Sequence, residues 1–376
     1  MRLVSRLKSY AGHRAREAAL YPTALRRRQA PRIMFFPSSV KEGASLLRAY
    51  NIAAELRQMG WQTLVVPAQL ELVQRKRLIR VFRPDALFFQ QCRHALNDAA
   101  FNFDVPFVLD IDDADFLSPH MRDRLARMCR EARGVIAGSR FVADWCRQHN
   151  ARTKVVWTGT PLHSRPRPDH ADRPPVIAWA QASPTGYPAE LDFVRRFHER
   201  LTARGAQFQL RLYGIDDAVQ RQDIVERFGG ATNIETRPLM DYDAFLYSLQ
   251  DVAIGLSPII SSSPFSRGKS FGKILGYLDA KVPVIASDEA DHALFFSTRS
   301  GVVSNDPDTW IEAALALLAD PERRNAMADA AFEAYRHRLS TRAAAQRVDG
   351  FLRDLGLHLP AAARSSPAIE AIGLSS

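Results

Sequence analysis

Arg267-Gly-Lys-Ser-Phe-Gly-Lys-Ile-Leu-Gly-Tyr-Leu-Asp-Ala-Lys-Val-Pro-Val-Ile-Ala-Ser287 is the stretch on which the fold reading turns. Ser270 reads as an N-cap, Phe271, Ile274, Leu275 and Leu278 recur at three- and four-residue spacing, and Pro283 stops the pattern, which predicts a helix. The short β-branched run Val282–Ala286 then predicts a strand. A similar run, Val252–Leu256, precedes the helix, which makes it a crossover between two buried parallel strands. Arg267, Lys269 and Lys273 crowd the start of this helix, where its positive pole disfavours each cation by a few tenths to about 1 kcal/mol. An anion bound among them, with phosphate the usual candidate, removes the conflict. A solvated basic turn is the plainer alternative. The intervening loop, Ser257–Ser266, is rich in hydroxyls and turn-formers and suits a ligand loop at the carboxyl edge of a sheet.

Working outward, apolar runs alternate with helical patterns on both sides. Towards the N-terminus these are Arg32–Phe36, a helix over Ala44 to Met59, Gln62–Val66, Ala86–Gln90, Phe107–Ile111, a helix over Met121 to Ala132, Gly134–Gly138, a helix over Phe141 to His149, and Lys154–Trp157. That rhythm is βαβ. The proline-rich polar stretch from Pro161 to Pro175 suits neither helix nor strand. The alternation then resumes with Val176–Trp179, a helix over Ala189 to Arg204, Gln207–Tyr213 and a helix over Val219 to Phe228, and it ends in helices over Pro307 to Ala319, Pro321 to Tyr335 and Thr341 to Leu355. The predicted divisions are a basic leader 1–30, a first domain 31–162, a linker 163–175, a second domain 176–338, a C-terminal helix 339–358 able to return to the first domain, and a frayed tail 359–376.

The chain has 376 residues, enough for two domains with a core each. A hydrophobic content of 46% with a mean hydropathy of -0.21 describes a soluble globular protein, and no run approaches the roughly eighteen apolar residues of a membrane span. There is no apolar signal-peptide core at the N-terminus, and Cys92, Cys129 and Cys146 have no metal-type spacing, so a reducing cytoplasm is expected. The formal charge of +10 is concentrated: residues 1 to 32 hold nine Arg and Lys against Glu17 alone. The remainder is nearly balanced, so the pI of 9.8 does not make the body a nucleic-acid binder. In the leader, Leu3, Val4, Leu7, Tyr10 and Ala11 can form one face of a short helix among the arginines, a pattern that fits an anionic membrane surface on the inner face as well as it fits a solvated leader.

Two Rossmann-like domains with a phosphate-type site late in the second resemble the GT-B glycosyltransferases. The stretch Arg267–Ser287 is similar to the C-terminal signature of family 4 retaining glycosyltransferases. The likeness extends to Gly301–Ser304, Trp310, Leu317–Arg323, Tyr213-Gly214, and Gly43 with Arg48 and Tyr50, and it covers roughly residues 31 to 355. It implies an α/β fold of two doubly wound parallel-sheet domains facing a central cleft. The implied activity is transfer of a sugar from a nucleotide diphosphate sugar to a glycan or lipid-linked glycan, retaining in stereochemistry, with neither metal nor other cofactor. The chain departs from the family at two points. Gly268 and Gly276 stand where two glutamates eight residues apart are usual, the second being the typical ribose contact; Asp279, one turn on, is the candidate substitute. Gln181–Pro188 replaces the usual Arg and Lys pair near the first helix of the donor domain.

The chemistry sets the candidate residues. Breaking a glycosyl-phosphate bond leaves negative charge on the diphosphate, so a fixed cationic cradle is the main demand. Lys273 and Lys269 would supply it, with Arg267 offering a bidentate contact and Ser270 and Phe271 offering backbone N–H groups. Ser183, Thr185 and Gly186 line the corresponding loop, and Arg237 and Leu239 follow a strand where the resemblance puts the nucleotide base. The acidic run Asp110–Asp115 closes the fourth strand of the first domain. Asp112 and Asp113 would hydrogen-bond sugar or acceptor hydroxyls or take the acceptor proton; a Mg²⁺ site and helix capping by Asp115 are the alternatives. In the first strand-to-helix loop, Gly43 and Ser45 are acceptor candidates. Arg48 either meets a phosphate of a lipid-linked acceptor or is an ordinary exposed arginine. The ten histidines show no metal-ligand spacing. A non-catalytic module of the same fold is the competing reading, carried by Gly268 and Gly276; a nucleic-acid binder is disfavoured because the body lacks basic patches interleaved with aromatics.

Overall fold

The computed structural model describes residues 12–26, 29–101, 103–262, 264–269 and 271–358. The chain divides into two compact units, one made of the residues through Thr160 and those from Thr341 onward, the other of Pro161–Ser340. Among the described residues each unit is built on a six-stranded parallel sheet. No helix among them is long and apolar enough to cross a membrane.

The first sheet contains β1 (Arg32–Phe36), β2 (Gln62–Val65), β3 (Ala86–Gln90), β4 (Phe107–Ile111), β5 (Gly134–Ala137) and β6 (Thr153–Val155), in the order β2-β1-β3-β4-β5-β6. Met34 pairs with Leu64 on one side and Leu87 on the other. These strands read as unbroken apolar runs because both faces are covered. Met34, Phe36, Leu87 and Phe89 point into one core with Leu78 and Phe82 of the helix Leu72–Phe82. Ile33, Phe35, Ala86 and Phe88 point into the other, which is closed by Ala344, Val348 and Phe351 of the helix Thr341–Asp354. Trp61 Nε1 donates to Asp349 Oδ1 of that helix at 2.6 Å, and a Cβ at Gly134 would lie 2.7 Å from Leu355 and Phe351. The C-terminal helix is therefore part of the first unit.

The second sheet contains β7 (Val176–Ala180), β8 (Gln209–Tyr213), β9 (Ile234–Arg237), β10 (Ile254–Ser257), β11 (Val284–Ala286) and β12 (Val302–Val303), in the order β12-β11-β10-β7-β8-β9. Residues 163–175, expected as a linker, are fastened to this unit, which begins at Pro161. Arg173 Nη1 donates to Val252 O at 2.9 Å, His170 Nε2 to Lys281 O at 2.8 Å, and Arg167 Nη2 to Asp279 Oδ1 at 2.7 Å.

Each sheet changes strand direction of travel at one place: β1 lies between β2 and β3, and β7 lies between β8 and β10. The carboxyl ends of those middle strands and their later neighbours form the crevices where open parallel sheets take ligands.

Two local differences from the sequence reading matter. The helix expected from Ser270 onward is broken into a tight turn Phe271–Lys273 and a five-residue helix Leu275–Asp279, and a separate four-residue helix Pro264–Arg267 precedes it. Gly268 and Gly272 lie where helix is missing, and each glycine costs about 1 kcal/mol against alanine in a helix. The helix predicted over Ala44 to Met59 contains a widened π turn, Leu46–Tyr50, before it becomes regular at Asn51–Gln58. Of the basic leader, residues 1–11 and 27–28 lie outside the described residues. Residues 12–18 are helical, and the buried Glu17 ties them to Arg77, whose Nη1 donates at 2.8 Å.

Candidate functional site

The second unit brings two of the predicted loops to one edge. β7 ends at Ala180 and runs into Gln181–Tyr187; β10 ends at Ser257 and runs into the loop that carries Arg267 and Lys269. Their strands are hydrogen-bonded neighbours, so the loops emerge side by side. The half-buried Lys269 ammonium contacts the Tyr187 hydroxyl and lies 3.8 Å from the Tyr187 ring centroid. An aromatic face and a phenolic oxygen thus hold a cation at this edge without neutralising it. Arg267 is partly exposed and reaches Glu289 at 3.1 Å. Ser183 opens the short turn Pro184–Gly186, with Gly186 N donating to Ser183 O at 3.1 Å; Ser183 and Thr185 are half-buried and Gly186 is exposed. Gly214, after β8, must be glycine: its φ is +85° and a Cβ would meet Gln181 O at 2.2 Å.

Other predicted residues fall elsewhere. Phe271 is a core residue, 1% exposed, with its ring 5.4 Å from that of Phe295. Ser270 lies outside the described residues, as does the side chain of Lys273, whose backbone closes the turn Phe271–Lys273. Arg237 ends β9 and pairs with Glu235, and Leu239 is exposed, its N–H donating to Asp216 Oδ1 at 2.6 Å. Asp279 cannot substitute for a ribose contact. It is 2% exposed and its two carboxylate oxygens are taken by His163 and Arg167. Gly276 has a packing reason: a Cβ there would lie 2.5 Å from Phe245 Cε1, so an aromatic ring occupies the space that a side chain would need.

Two polar groups at this edge were not singled out from the sequence. Gln181, the first residue after β7, and Ser257, the last of β10, are 7% and 3% exposed, and Gln181 Nε2 and Ser257 Oγ have no hydrogen-bond partner among the described residues. Buried polar atoms are rarely left unpaired. The signal was positional: each stands at the carboxyl end of a strand flanking the switch of direction.

In the first unit, Arg48 is buried rather than exposed or ligand-facing. Its Nε and Nη2 donate to Asp110 Oδ2 and Oδ1 at 2.9 and 2.5 Å, and its Nη1 donates to Val156 O at 3.0 Å and Thr158 Oγ1 at 2.9 Å. Burial opposes the Arg48 charge, but Asp110 and Asp112 more than offset it and hold the guanidinium protonated. Asp112 is buried too, accepting from Thr158 Oγ1 at 3.0 Å. Asp113 is the reachable carboxylate of the pair. Arg93 Nη2 donates to it at 2.6 Å, while burial and then the neighbouring Asp112 charge push its pKa above the usual carboxylate range. Asp115 caps no helix: Ala114 takes the cap position, and Asp115 accepts from Arg93 Nε at 2.8 Å. With these carboxylates paired to arginines, no group of three or more His, Cys, Asp or Glu among the described residues is arranged to hold a metal ion.

Ser45 is 1% exposed and donates to Gln90 Oε1 at 2.9 Å, so it belongs to the packing beneath the loop from Ser38. Gly43 is exposed with φ at +47°, and a Cβ there would meet nothing within 4 Å; the backbone angle, and not crowding, is what suits this turn to glycine.

Comparison with known proteins gives the setting for this geometry. Residues 190–352 match a family described as glycosyl transferase-like. No curated protein matches the sequence. Among solved structures, sucrose-phosphate synthase from Thermosynechococcus elongatus superposes with a TM-score of 0.63 at 13% identity, covering 87% of this chain and 99% of that one. A glycosyltransferase from Rickettsia africae gives 0.63 at 10% identity, covering 87% and 99%. HepE from Anabaena, solved in complex with UDP and glucose, gives 0.60 at 15% identity, covering 86% and 99%. At these identities the likeness establishes the fold.

Proposed function

We propose, for a chain with the two-unit GT-B fold of glycosyltransferases and a glycosyl transferase-like sequence match, that it transfers a sugar from a nucleotide diphosphate sugar to a glycan or lipid-linked glycan. The observation that carries this reading is the cation at the β7/β10 edge, Lys269 held against Tyr187. As the bond between sugar and phosphate breaks, charge grows on the diphosphate. A cation already fixed in place meets that charge without reorganising. Lys273 and Arg267, close in sequence, complete the cradle in this reading. The helix that follows has only five residues, so the side chains rather than its dipole must supply most of the field.

Retention of configuration and independence of metal follow from the same chemistry as proposals. The departing phosphate oxygen takes the acceptor proton on the face it leaves. Asp113 is the carboxylate suited to steer the acceptor hydroxyl. An anionic inner-membrane surface remains a proposed partner: residues 1–160 with 341–376 carry 31 Lys and Arg against 17 Asp and Glu, whereas residues 161–340 carry 20 against 24. The positive excess lies wholly in the chain segments of the first unit.

UDP and GDP should raise the melting temperature of the protein, and the rise should disappear in Lys269→Ala and Lys273→Ala. A set of nucleoside diphosphates that never shifts the transition removes this reading. Phe245 in the space beside Gly276 favours one alternative, a module that binds a nucleotide without turnover. Release of free sugar from a nucleotide sugar by the purified chain, lost in Lys269→Ala, would exclude that alternative.

A further inference from the structure

The leader and the helix Leu72–Phe82 together present a cationic face on the first unit. The short helix Tyr21–Leu25 is folded onto Leu72–Phe82, with Ala24 sharing a core with Leu78, Ile79 and Phe82. Arg32 Nη2 donates to Ala24 O at 3.3 Å and Gln62 Nε2 to Thr23 O at 3.3 Å, which fastens the same segment to β1 and β2. On the exposed side of Leu72–Phe82, Val73, Lys76, Arg80 and, just past its end, Arg83 recur at three- and four-residue spacing and so fall on one stripe. The leader segment held against this helix adds the exposed Arg16 and Arg26. None of Arg16, Arg26, Lys76, Arg80 and Arg83 has an ion-pair partner among the described residues.

The carboxylates nearby do not cancel this charge. Glu17, the one acidic residue of the leader, is 2% exposed; Tyr21 Oη donates to it at 2.9 Å and Arg77 Nη1 at 2.8 Å. Asp85 accepts from Arg32 N at 2.9 Å, and Glu71, at the start of the helix, lies 3.6 Å from His13. A second property decides what the face meets. Val73 and Leu25 are 66% and 59% exposed, so two large apolar side chains stand in water among the cations. A soluble polyanion satisfies lysines and arginines and leaves those side chains wet, whereas the boundary between lipid headgroups and acyl chains takes both. Residues 1–11, which join the leader helix at Gly12, repeat the combination in sequence, with Arg2, Arg6 and Lys8 set among Leu3, Val4, Leu7 and Tyr10.

We infer that this face lies on a bilayer containing anionic phospholipid, with Arg16, Arg26, Lys76, Arg80 and Arg83 meeting headgroup phosphates and Val73 and Leu25 entering the boundary beneath them. The inference rests on the membrane-partner reading and deepens it, since it moves the contact from a basic tail to a folded surface of named residues.

Sedimentation of the full chain with vesicles tests it, using equal parts phosphatidylglycerol and phosphatidylcholine against phosphatidylcholine alone. The parent protein should bind the first and not the second, and binding should fall as salt is raised. Each cation near an anionic leaflet should count for about fivefold in partitioning, so the combined change Lys76→Gln, Arg80→Gln and Arg83→Gln should weaken binding on the order of a hundredfold. Arg221→Gln with Arg299→Gln and Arg323→Gln, at exposed positions of the second unit, lowers the net charge equally and should leave binding unchanged. Leu25→Ser with Val73→Ser should weaken it as well. All variants are checked for folding by their thermal transitions. Equal losses in the two triple variants would show that net charge alone matters, and undiminished binding in the first would return the contact to residues 1–11. Displacement of the vesicles by a short RNA, with binding intact in Leu25→Ser with Val73→Ser, would make the face a polyanion site. Each of these results overturns the inference. Failure of the parent protein to bind the anionic vesicles removes the membrane partner itself, and the UDP-induced shift in melting temperature, read in the same preparation, reports separately on sugar transfer.

Discussion

Arg48 shows how far a single residue can move from its sequence reading. Its place one turn into the first helix made it either a phosphate contact or an exposed arginine, and both require a reachable guanidinium. In the folded chain it is 4% exposed and bound at every nitrogen that an ion pair or hydrogen bond can reach from β4 and the segment after β6. Its role is to compensate Asp110, which burial drives above the usual carboxylate range despite the arginine. Arg48→Ala should therefore cost about 3–5 kcal/mol of stability, because it leaves a buried carboxylate without a partner. Urea unfolding of the variant measures this. A cost below about 1 kcal/mol, the range of an exposed ion pair, would show that the pair does not hold the first unit together. Asp112 and Asp113 were equivalent in the sequence for the same reason: the spacing located the acidic run, but only packing made Asp113 reachable and tied Asp112 to Thr158. Gln181 and Ser257 left no compositional signal at all, since an unpaired polar group is recognised only when its surroundings are known.

At the scale of elements, the stretch Arg267–Ser287 carried the crossover and the strand β11, while its helix is shortened by the turn Phe271–Lys273 around Gly272. Packing also explains two glycines that do not break it, Gly255 on β10 and Gly276 within the helix Leu275–Asp279. A Cβ at Gly255 would lie 2.7 Å from the Tyr277 ring, whose hydroxyl donates to Ala178 O at 3.0 Å and accepts from Ala180 N at 2.8 Å, so Tyr277 pins this short helix to β7. On the neighbouring turn, Phe245 fills the space beside Gly276. Gly276→Glu, which would place there the carboxylate that the resemblance to family 4 glycosyltransferases implies, should destabilise the chain by about 1–3 kcal/mol through overpacking. Phe245→Ala in the same chain should relieve part of that cost, and thermal unfolding of the two single variants and the double variant should give a coupling of about 0.5–3 kcal/mol. Strict additivity would show that Phe245 is not what excludes the side chain.

At the scale of the molecule, the second unit contains two histidines that burial keeps neutral. His170 and His292 are both lowered to about 4, chiefly by desolvation, with His170 donating to Lys281 O and His292 to Ser287 O. The folded pKa values are depressed, so the unfolded chain takes up protons first as the pH falls through about 6.5. Stability should be level with respect to these groups above that pH and should decline from there towards pH 4. His292→Phe, placed among Phe271 and Phe296, should lessen the fall in melting temperature between about pH 7 and pH 5. An unchanged fall would remove His292 as a cause. By itself the sequence determined the α/β class, the two-fold repetition of strand and helix, and the position of the cationic stretch, because buried parallel strands must be apolar and helices must show their period locally. Tertiary structure alone decided the strand orders, the return of the helix Thr341–Asp354 to the first sheet, the capture of residues 161–175 by the second, and which charges are spent on one another. Those outcomes depend on contacts between residues far apart in the chain, and local periodicity carries no information about partners at that distance.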